Sequence, residues 1–328
     1  MRFFITGIGG FVGCHLAELL LAAGHRVGGA VTGRADRPAL RALAARHPNF
    51  DPAALAVAEV GNPAALEQAL TVARPDGVFH LAGIAFAPRA ETDASHAFAV
   101  NVLGTINVLE AVARVCPEAR TLVVTSSDVY GVTDDCTEPI REDAPLRPVG
   151  VYGLSKATAD MAVFRHWWTS GLPVVRVRAF NHTGPGQSPD FVCSDFARQI
   201  ARIAVGGAEP VMHVGNLEVE RDFSDVRDIV RGYFLLWERG EPGAAYNLCS
   251  GRATRVAHVL ETLIAASGAR VEVVTDPHRK RGREIETIVG SAVRARALGW
   301  SPTIPLEQTL DDLYRDWRGQ IEPSQKLP

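Results

Sequence analysis

A tyrosine and a lysine stand four residues apart in Tyr152-Gly-Leu-Ser-Lys156. On a helix that spacing stacks a phenol and an ammonium on one face. A fixed cation beside a phenol favours the phenolate, so the pair is expected to draw the tyrosine pKa down towards neutrality and make it a usable proton donor. Such a pair interconverts an alcohol and a ketone, and it needs a hydride carrier. Upstream lies Ser126-Ser-Asp128, directly after the apolar run Thr121 to Thr125. Serine and aspartate together can be turn chemistry alone. At the carboxyl end of a strand, however, Ser126, Ser127 and Asp128 would converge with Tyr152 on one reacting centre.

The carrier is suggested by the start of the chain. Arg2 to Gly13 reads as a buried strand, a glycine turn and the opening of a helix from Phe11 to Ala23. Gly7 permits the tight turn, Gly10 lets backbone N–H groups approach a pyrophosphate, and Gly13 lets helix and strand pack closely. A second strand, Arg26 to Val31, runs into Thr32-Gly-Arg34. A site for NAD usually carries an acid at the place of Thr32. With no carboxylate to repel a 2′-phosphate, and with Arg34 and Arg37 nearby, NADP(H) is preferred and NAD(H) is the second candidate. The arginines have a plainer reading as solvated loop charges.

Further along, Leu55 to Ala58 reads as a third strand, and Glu59 after it is either an adenine contact or a surface carboxylate. Gly77 to His80 makes a fourth, and Leu81, Ala82 and Gly83 suit a wall for a dinucleotide. His80, inside an apolar run, reads as a core histidine rather than a base. A strongly apolar helix spans residues 95–115, a fifth strand Thr121 to Thr125, a long helix Val151 to Ser170 and a sixth strand Pro173 to Arg178. Beyond residue 180 the alternation degrades, as a second lobe would require. The expected fold is α/β, a Rossmann-type doubly wound parallel sheet with a smaller α/β C-terminal lobe. Residues 1–180 with 222–250 are expected to bind the cofactor, and 181–221 with 251–328 the substrate.

Composition narrows the setting. The 328 residues include 47% hydrophobic ones, ample for a core, and a formal net charge of −3 offers no footprint for nucleic acid or an anionic membrane. No apolar run is read as approaching membrane-spanning length. The five cysteines lack disulfide or zinc spacing, so no metal is expected and a reducing cytoplasm fits best. The basic run from His278 to Arg283, followed by Glu284, is a solvated face by default and a phosphate clamp if it borders a nucleotide cleft.

Taken in order, Thr6-Gly-Ile-Gly-Gly-Phe-Val-Gly13, His80-Leu-Ala-Gly83, Asn101-Val-Leu-Gly-Thr105, Tyr152 to Lys156 and Arg221-Asp-Phe-Ser-Asp-Val-Arg-Asp228 resemble the extended short-chain dehydrogenase/reductases that act on nucleotide sugars. Within that family, Ser126 to Gly131, Phe180 to Gln187, Ala197 to Ala201 and Asn247 to Gly251 are similar to the GDP-4-keto-6-deoxymannose reductases. The resemblance implies a reaction in which Tyr152 protonates a C4 ketone oxygen, Ser126 hydrogen-bonds it and Lys156 holds the nicotinamide ribose. It implies cofactor contacts from Phe11, Val12, Val60 and Phe180 besides those above. A GDP-linked sugar would meet Asn181, Val192, Arg221, Arg281 and Glu284, and the helices carrying Asn101 and Tyr152 would form a homodimer. A 4,6-dehydratase of this kind would carry Glu at Asp128. Dehydration therefore ranks behind reduction, as do a 4-epimerase and a non-catalytic NADP sensor.

Overall fold

The computed structural model describes residues 1–33, 37–133, 138–276 and 285–325. The first half runs β1 (Arg2–Thr6), α1 (Phe11–Ala22), β2 (Arg26–Val31), α2 (Pro38–Arg46), β3 (Ala56–Val57), α3 (Pro63–Ala73) and β4 (Gly77–His80). It continues through α4 (Ala87–Thr92), α5 (Ala94–Phe98), α6 (Gly104–Val115), β5 (Arg120–Val124), α7 (Val151–Ser170) and β6 (Val174–Ala179). The second half adds β7 (Asn181–Thr183), α8 (Val192–Ala204), β8 (Val211–Val214), β9 (Glu220–Arg221), β10 (Phe223–Asp225), α9 (Val226–Arg239) and β11 (Ala245–Leu248). It closes with β12 (Thr254–Arg255), α10 (Val256–Ser267), β13 (Glu272–Thr275), β14 (Thr287–Ile288), α11 (Val293–Ala297) and α12 (Leu306–Gln325).

Seven strands form one parallel sheet in the order β11-β6-β5-β4-β1-β2-β3. The strand order departs in both directions from β1, so the crevice beyond the carboxyl ends of β1 and β4 is the sheet's natural ligand position. Helices cover both faces, because successive strand residues point to opposite sides. Phe3 and Ile5 enter one core with Leu16, Phe79, Leu122 and Trp237, while Phe4 enters the other with Val78, Leu109 and Val174. Local signals set the helix ends. Asn62 caps α3 by accepting from Ala65 N at 3.1 Å, ahead of Pro63 in the first turn, and Gly171 ends α7 in the left-handed region at φ 71°.

The second half builds a separate core from Phe196, Ile200, Met212, Val259, Leu263, Leu310 and Tyr314. Its strands are short: β8 with β13, β7 with β10, and β12-β9-β14. Ile288, Ala292, Ala295 and Trp300 return to the first core, with the Trp300 indole donating to Asp228 O on α9 at 2.9 Å.

One expectation about the chain needs correction. Ala94–Val115 is a continuous 22-residue helix, long and apolar enough by length and composition to cross a membrane. The helix packs inside the fold, between α3 and α7, and Val108, Leu109 and Val112 are buried there. Its apolar character serves that two-sided packing.

Candidate active site

The glycine turn follows β1 because nothing larger fits it. Gly7 has φ +75°, and a Cβ there would lie 2.9 Å from Ala82 N; a Cβ on Gly13 would lie 2.2 Å from Gly7 O. Gly10 then opens α1 with extended backbone, and Gly10 N and Cys14 N bond to Gly7 O and Gly10 O at 2.9 and 3.0 Å. The first-turn N–H groups of α1 consequently face the crevice at the positive end of a helix dipole. This cradle fits a dinucleotide pyrophosphate. Its wall is tied down by Leu81 N and Ala82 N, which donate to Thr6 O at 3.2 Å and Thr6 Oγ1 at 3.3 Å.

At the outer end, Arg37 donates to Thr32 O at 2.8 Å and to Gly9 O at 3.5 Å, bridging β2's end and the glycine turn. Thr32 and Glu59 are exposed, Phe11 and Val12 half-buried. Arg34 lies outside the described residues. Val60 and Phe180 are both buried: Val60 meets the Gly104 backbone, and the Phe180 ring packs near Tyr130 and Gly290.

Ser126 leaves the end of β5, and Tyr152 and Lys156 lie on the first turns of α7. They meet because Gly153 lets the helix approach: a Cβ there would lie 2.6 Å from Asp128 O. The Ser126 hydroxyl lies close enough to the Tyr152 phenol to favour its ionised form. Ser126 Oγ already accepts from Asp128 N at 3.1 Å, which leaves its proton to donate to the phenol oxygen. Asp128 is half-buried and Ser127 buried.

The expectation of a lowered tyrosine pKa is overturned here. Burial, then the Asp128 carboxylate, push the Tyr152 phenol above its ordinary value, and only the Ser126 hydrogen bond works the other way. Lys156 points away from the task assigned to it by spacing, donating instead to Val124 O at 3.2 Å, and burial pushes it down to about 8. The phenol thus keeps its proton at neutral pH. That suits a donor.

Two buried polar groups support this trio, and the role of the first, Asn101, was missed by the sequence reading. Asn101, in a π turn over Ala99–Leu103, accepts from Ile84 N at 2.8 Å and donates to Ile84 O at 3.2 Å and Ser155 Oγ at 2.9 Å. It pins the loop after β4 to α7; a π turn inside a long helix is its signature. His80 is a core histidine, as expected. Thr105 gives its proton to Asn101 O at 2.6 Å, so it accepts from His80 Nε2 at 3.0 Å, and Nδ1 accepts from Thr6 Oγ1 at 2.7 Å. Burial, then Lys156, push His80 down to about 3, so it stays neutral.

Across the crevice, exposed Asn181 starts β7 and exposed Val192 opens α8. Beside them Phe191 meets Phe86, from the loop after β4, with ring centroids 6.0 Å apart. Arg221 donates to Glu220 O at 2.7 Å and Glu286 O at 3.2 Å, which places it beside β14. Its buried neighbour Asp222 accepts from Ser250 N, Ser250 Oγ, Gly251 N and Gly290 N at 2.6–3.2 Å, fixing the Ser250-Gly251 turn against the lobe. Arg281 and Glu284 lie outside the described residues.

Residues 4–313 match the family model described as GDP-mannose 4,6 dehydratase. The chain is 35% identical over 321 residues to a GDP-6-deoxy-D-mannose reductase of Pseudomonas aeruginosa, covering 98% of each. It superposes on the structure of RMD from Pseudomonas aeruginosa complexed with NADPH with a TM-score of 0.84 and 31% identity, covering 98% of this chain and all of that one (100%). It also superposes on a Thermus thermophilus UDP-glucose 4-epimerase complex with NAD, with a TM-score of 0.83, 26% identity, and 97% and 99% coverage.

Proposed function

Since the chain belongs to the GDP-mannose 4,6-dehydratase family of extended short-chain dehydrogenase/reductases, we propose that it is a reductase within it. It reduces the C4 ketone of GDP-4-keto-6-deoxymannose with NADPH, yielding GDP-rhamnose or its C4 epimer. The observation that carries this reading is the near full-length similarity to a GDP-6-deoxy-D-mannose reductase. When bound, the reduced nicotinamide supplies the hydride. Tyr152 gives its proton to the ketone oxygen, Ser126 donates a hydrogen bond to that oxygen as charge develops, and Lys156 holds the nicotinamide ribose. Asn181, Val192, Arg221, Arg281 and Glu284 would hold the sugar nucleotide, with arginine on the diphosphate.

The geometry around Asp128 favours reduction over dehydration. A dehydratase base must reach the C5 proton, and aspartate is one methylene shorter than glutamate. The backbone cannot advance to compensate, because Asp128 N is bonded to Ser126 and Asp128 O abuts Gly153. A shortfall of about 1 Å is worth about 10²-fold in rate.

Incubation of the enzyme with GDP-4-keto-6-deoxymannose should consume NADPH at least about tenfold more efficiently than NADH, with the product sugar identified by NMR. Arg37→Ala should lose about tenfold in efficiency with NADPH and little with NADH, because a charge-assisted contact to a 2′-phosphate contributes roughly 1.5–3 kcal/mol. No consumption of either cofactor, or interconversion of two UDP-sugars by enzyme carrying tightly held NAD, would replace this reading with the epimerase one.

Residues 1–180 with 222–250 would form the cofactor half, and 181–221 with 251–328 the sugar half. The homodimer rests on the outer face of α7, where Leu154, Met161 and Trp168 recur every seventh residue and are exposed, with Phe164 stacked on Trp168. Leu103, where the π turn meets α6, is exposed as well. Met161→Arg should raise the dimer dissociation constant on the order of 10–100-fold in sedimentation velocity; an unaltered dimer would move the interface elsewhere. Cys14, Cys116, Cys193 and Cys249 are free thiols, which supports a reducing cytoplasm.

A further inference from the structure

The face of α7 that carries Tyr152 and Lys156 continues one turn further to Asp160, whose side chain is fully buried, with 0% exposed. An isolated carboxylate there would be costly, and it is not isolated. Arg178 on β6 donates to it twice, from Nε at 3.0 Å and Nη2 at 2.9 Å, and Arg176 donates at 2.6 Å. Thr125 Oγ1 completes the set at 3.2 Å, sharing its one proton between Asp160 and Val177 O on β6, 3.1 Å away. Thr125 immediately precedes Ser126, and its backbone N is fixed to Val177 O on β6 at 2.7 Å.

Asp160 and the Val177 carbonyl on β6 therefore meet at one hydroxyl, which ties the helix bearing Tyr152 to the strand end bearing Ser126. Arg178 extends the tie. Its Nη1 donates to Tyr130 Oη at 3.0 Å, and Tyr130 donates to Asn247 Oδ1 at 2.7 Å. Asn247 in turn donates to Ile140 O at 2.9 Å, and Ile140 is bridged to Gly290. The hydrogen-bonded path runs from the middle of α7, beneath Ser126 and Asp128, to the backbone that enters the second lobe.

We infer that Asp160 and Arg178, acting through Thr125, are positioning residues for the reaction: they set the register of α7 against β5 so that the Tyr152 hydroxyl meets Ser126. This rests on the reading of Ser126 and Tyr152 as the groups that act on the ketone. Among the described residues no side-chain hydrogen bond joins this path to the pyrophosphate cradle on β1 and α1, so NADPH affinity and turnover can be read apart.

The test compares Thr125→Val, which keeps the volume and removes the hydroxyl, with Thr125→Ser, which keeps the hydroxyl and removes the methyl. NADPH binding is titrated by fluorescence, and kcat is expressed per binding site. Thr125→Val should lose about tenfold in kcat with its NADPH Kd within about twofold of the wild type, and Thr125→Ser should restore the rate. Asp160→Asn should lose about 10²-fold per site; if that variant does not fold, the Thr125 pair decides alone. Wild-type kcat in Thr125→Val, or a deficit equal in Val and Ser, overturns the inference. So does a loss that appears in NADPH affinity instead. A wild-type enzyme inert on the keto sugar would defeat the functional reading instead.

Discussion

Tyr152→Phe should bind NADPH within about twofold of the wild-type affinity and lose about 10²–10⁴ of kcat on the keto sugar, the range expected when a positioned general acid is removed. The phenylalanine ring keeps the packing of Tyr152 against Ile84, Ala90 and Ala97, so neither the helix nor the cofactor wall has reason to move. What disappears is the proton. Ser126 cannot supply it, since an aliphatic hydroxyl is a far weaker acid than a phenol. The raised Tyr152 pKa works in the same direction: burial and Asp128 keep the phenol protonated at neutral pH, the state that a reduction consumes. Stopped-flow absorbance at saturating NADPH, with fluorescence titration alongside, measures both quantities. A variant within about fivefold of wild-type kcat would remove Tyr152 from the chemistry.

The first half of the chain was legible because its physics is local. A buried parallel strand is an uninterrupted apolar run, and a glycine turn between strand and helix announces the cradle, so β1, α1, β2, β4 and β5 follow directly from the residues. The second lobe was less so. β9, β12 and β14 are two residues each, and such strands exist only through partners distant in sequence. The three residues of β7 are a strand only through their pairing with β10, for the same reason. The long helix α12 went unread although it packs on α8 and α10.

At the site, spacing identified Tyr152 and Lys156 but misjudged their electrostatics. Four residues on a helix specify a shared face; they do not reveal that burial outweighs the cation or that Lys156 turns to Val124 O. The roles of Asn101, Gly153, Asp160 and Arg178 depend on partners 17 to 54 residues away for Asn101 and 16 to 35 residues away for Asp160. Such roles become visible only once α7, β5 and β6 are side by side.

Lys156→Met separates what the lysine does for catalysis from what it does to stability, and the two effects have opposite sign. Lys156 is buried, and burial pushes its pKa from 10.5 down to about 8. A lysine whose folded pKa is depressed destabilises the fold wherever it must be charged: the penalty is complete below about pH 8, and it is lost as pH rises towards the unfolded value. At about 1.4 kcal/mol per unit, the shift sets an upper bound on the order of 3 kcal/mol. Methionine fills nearly the same volume without a charge, and forfeits only the hydrogen bond to Val124 O, so the variant should be about 1–3 kcal/mol more stable at pH 7. The gain in Tm should narrow between pH 8 and 10.5. Catalysis should suffer in exchange, by roughly 10²–10³ in kcat, because the ammonium proposed to hold the nicotinamide ribose is gone. Denaturant unfolding across that pH range, with kcat at each pH, measures both. A Lys156→Met protein less stable than the wild type at pH 7 would show that the ammonium holds the fold together, and one with undiminished kcat would show that it has no part in the reaction.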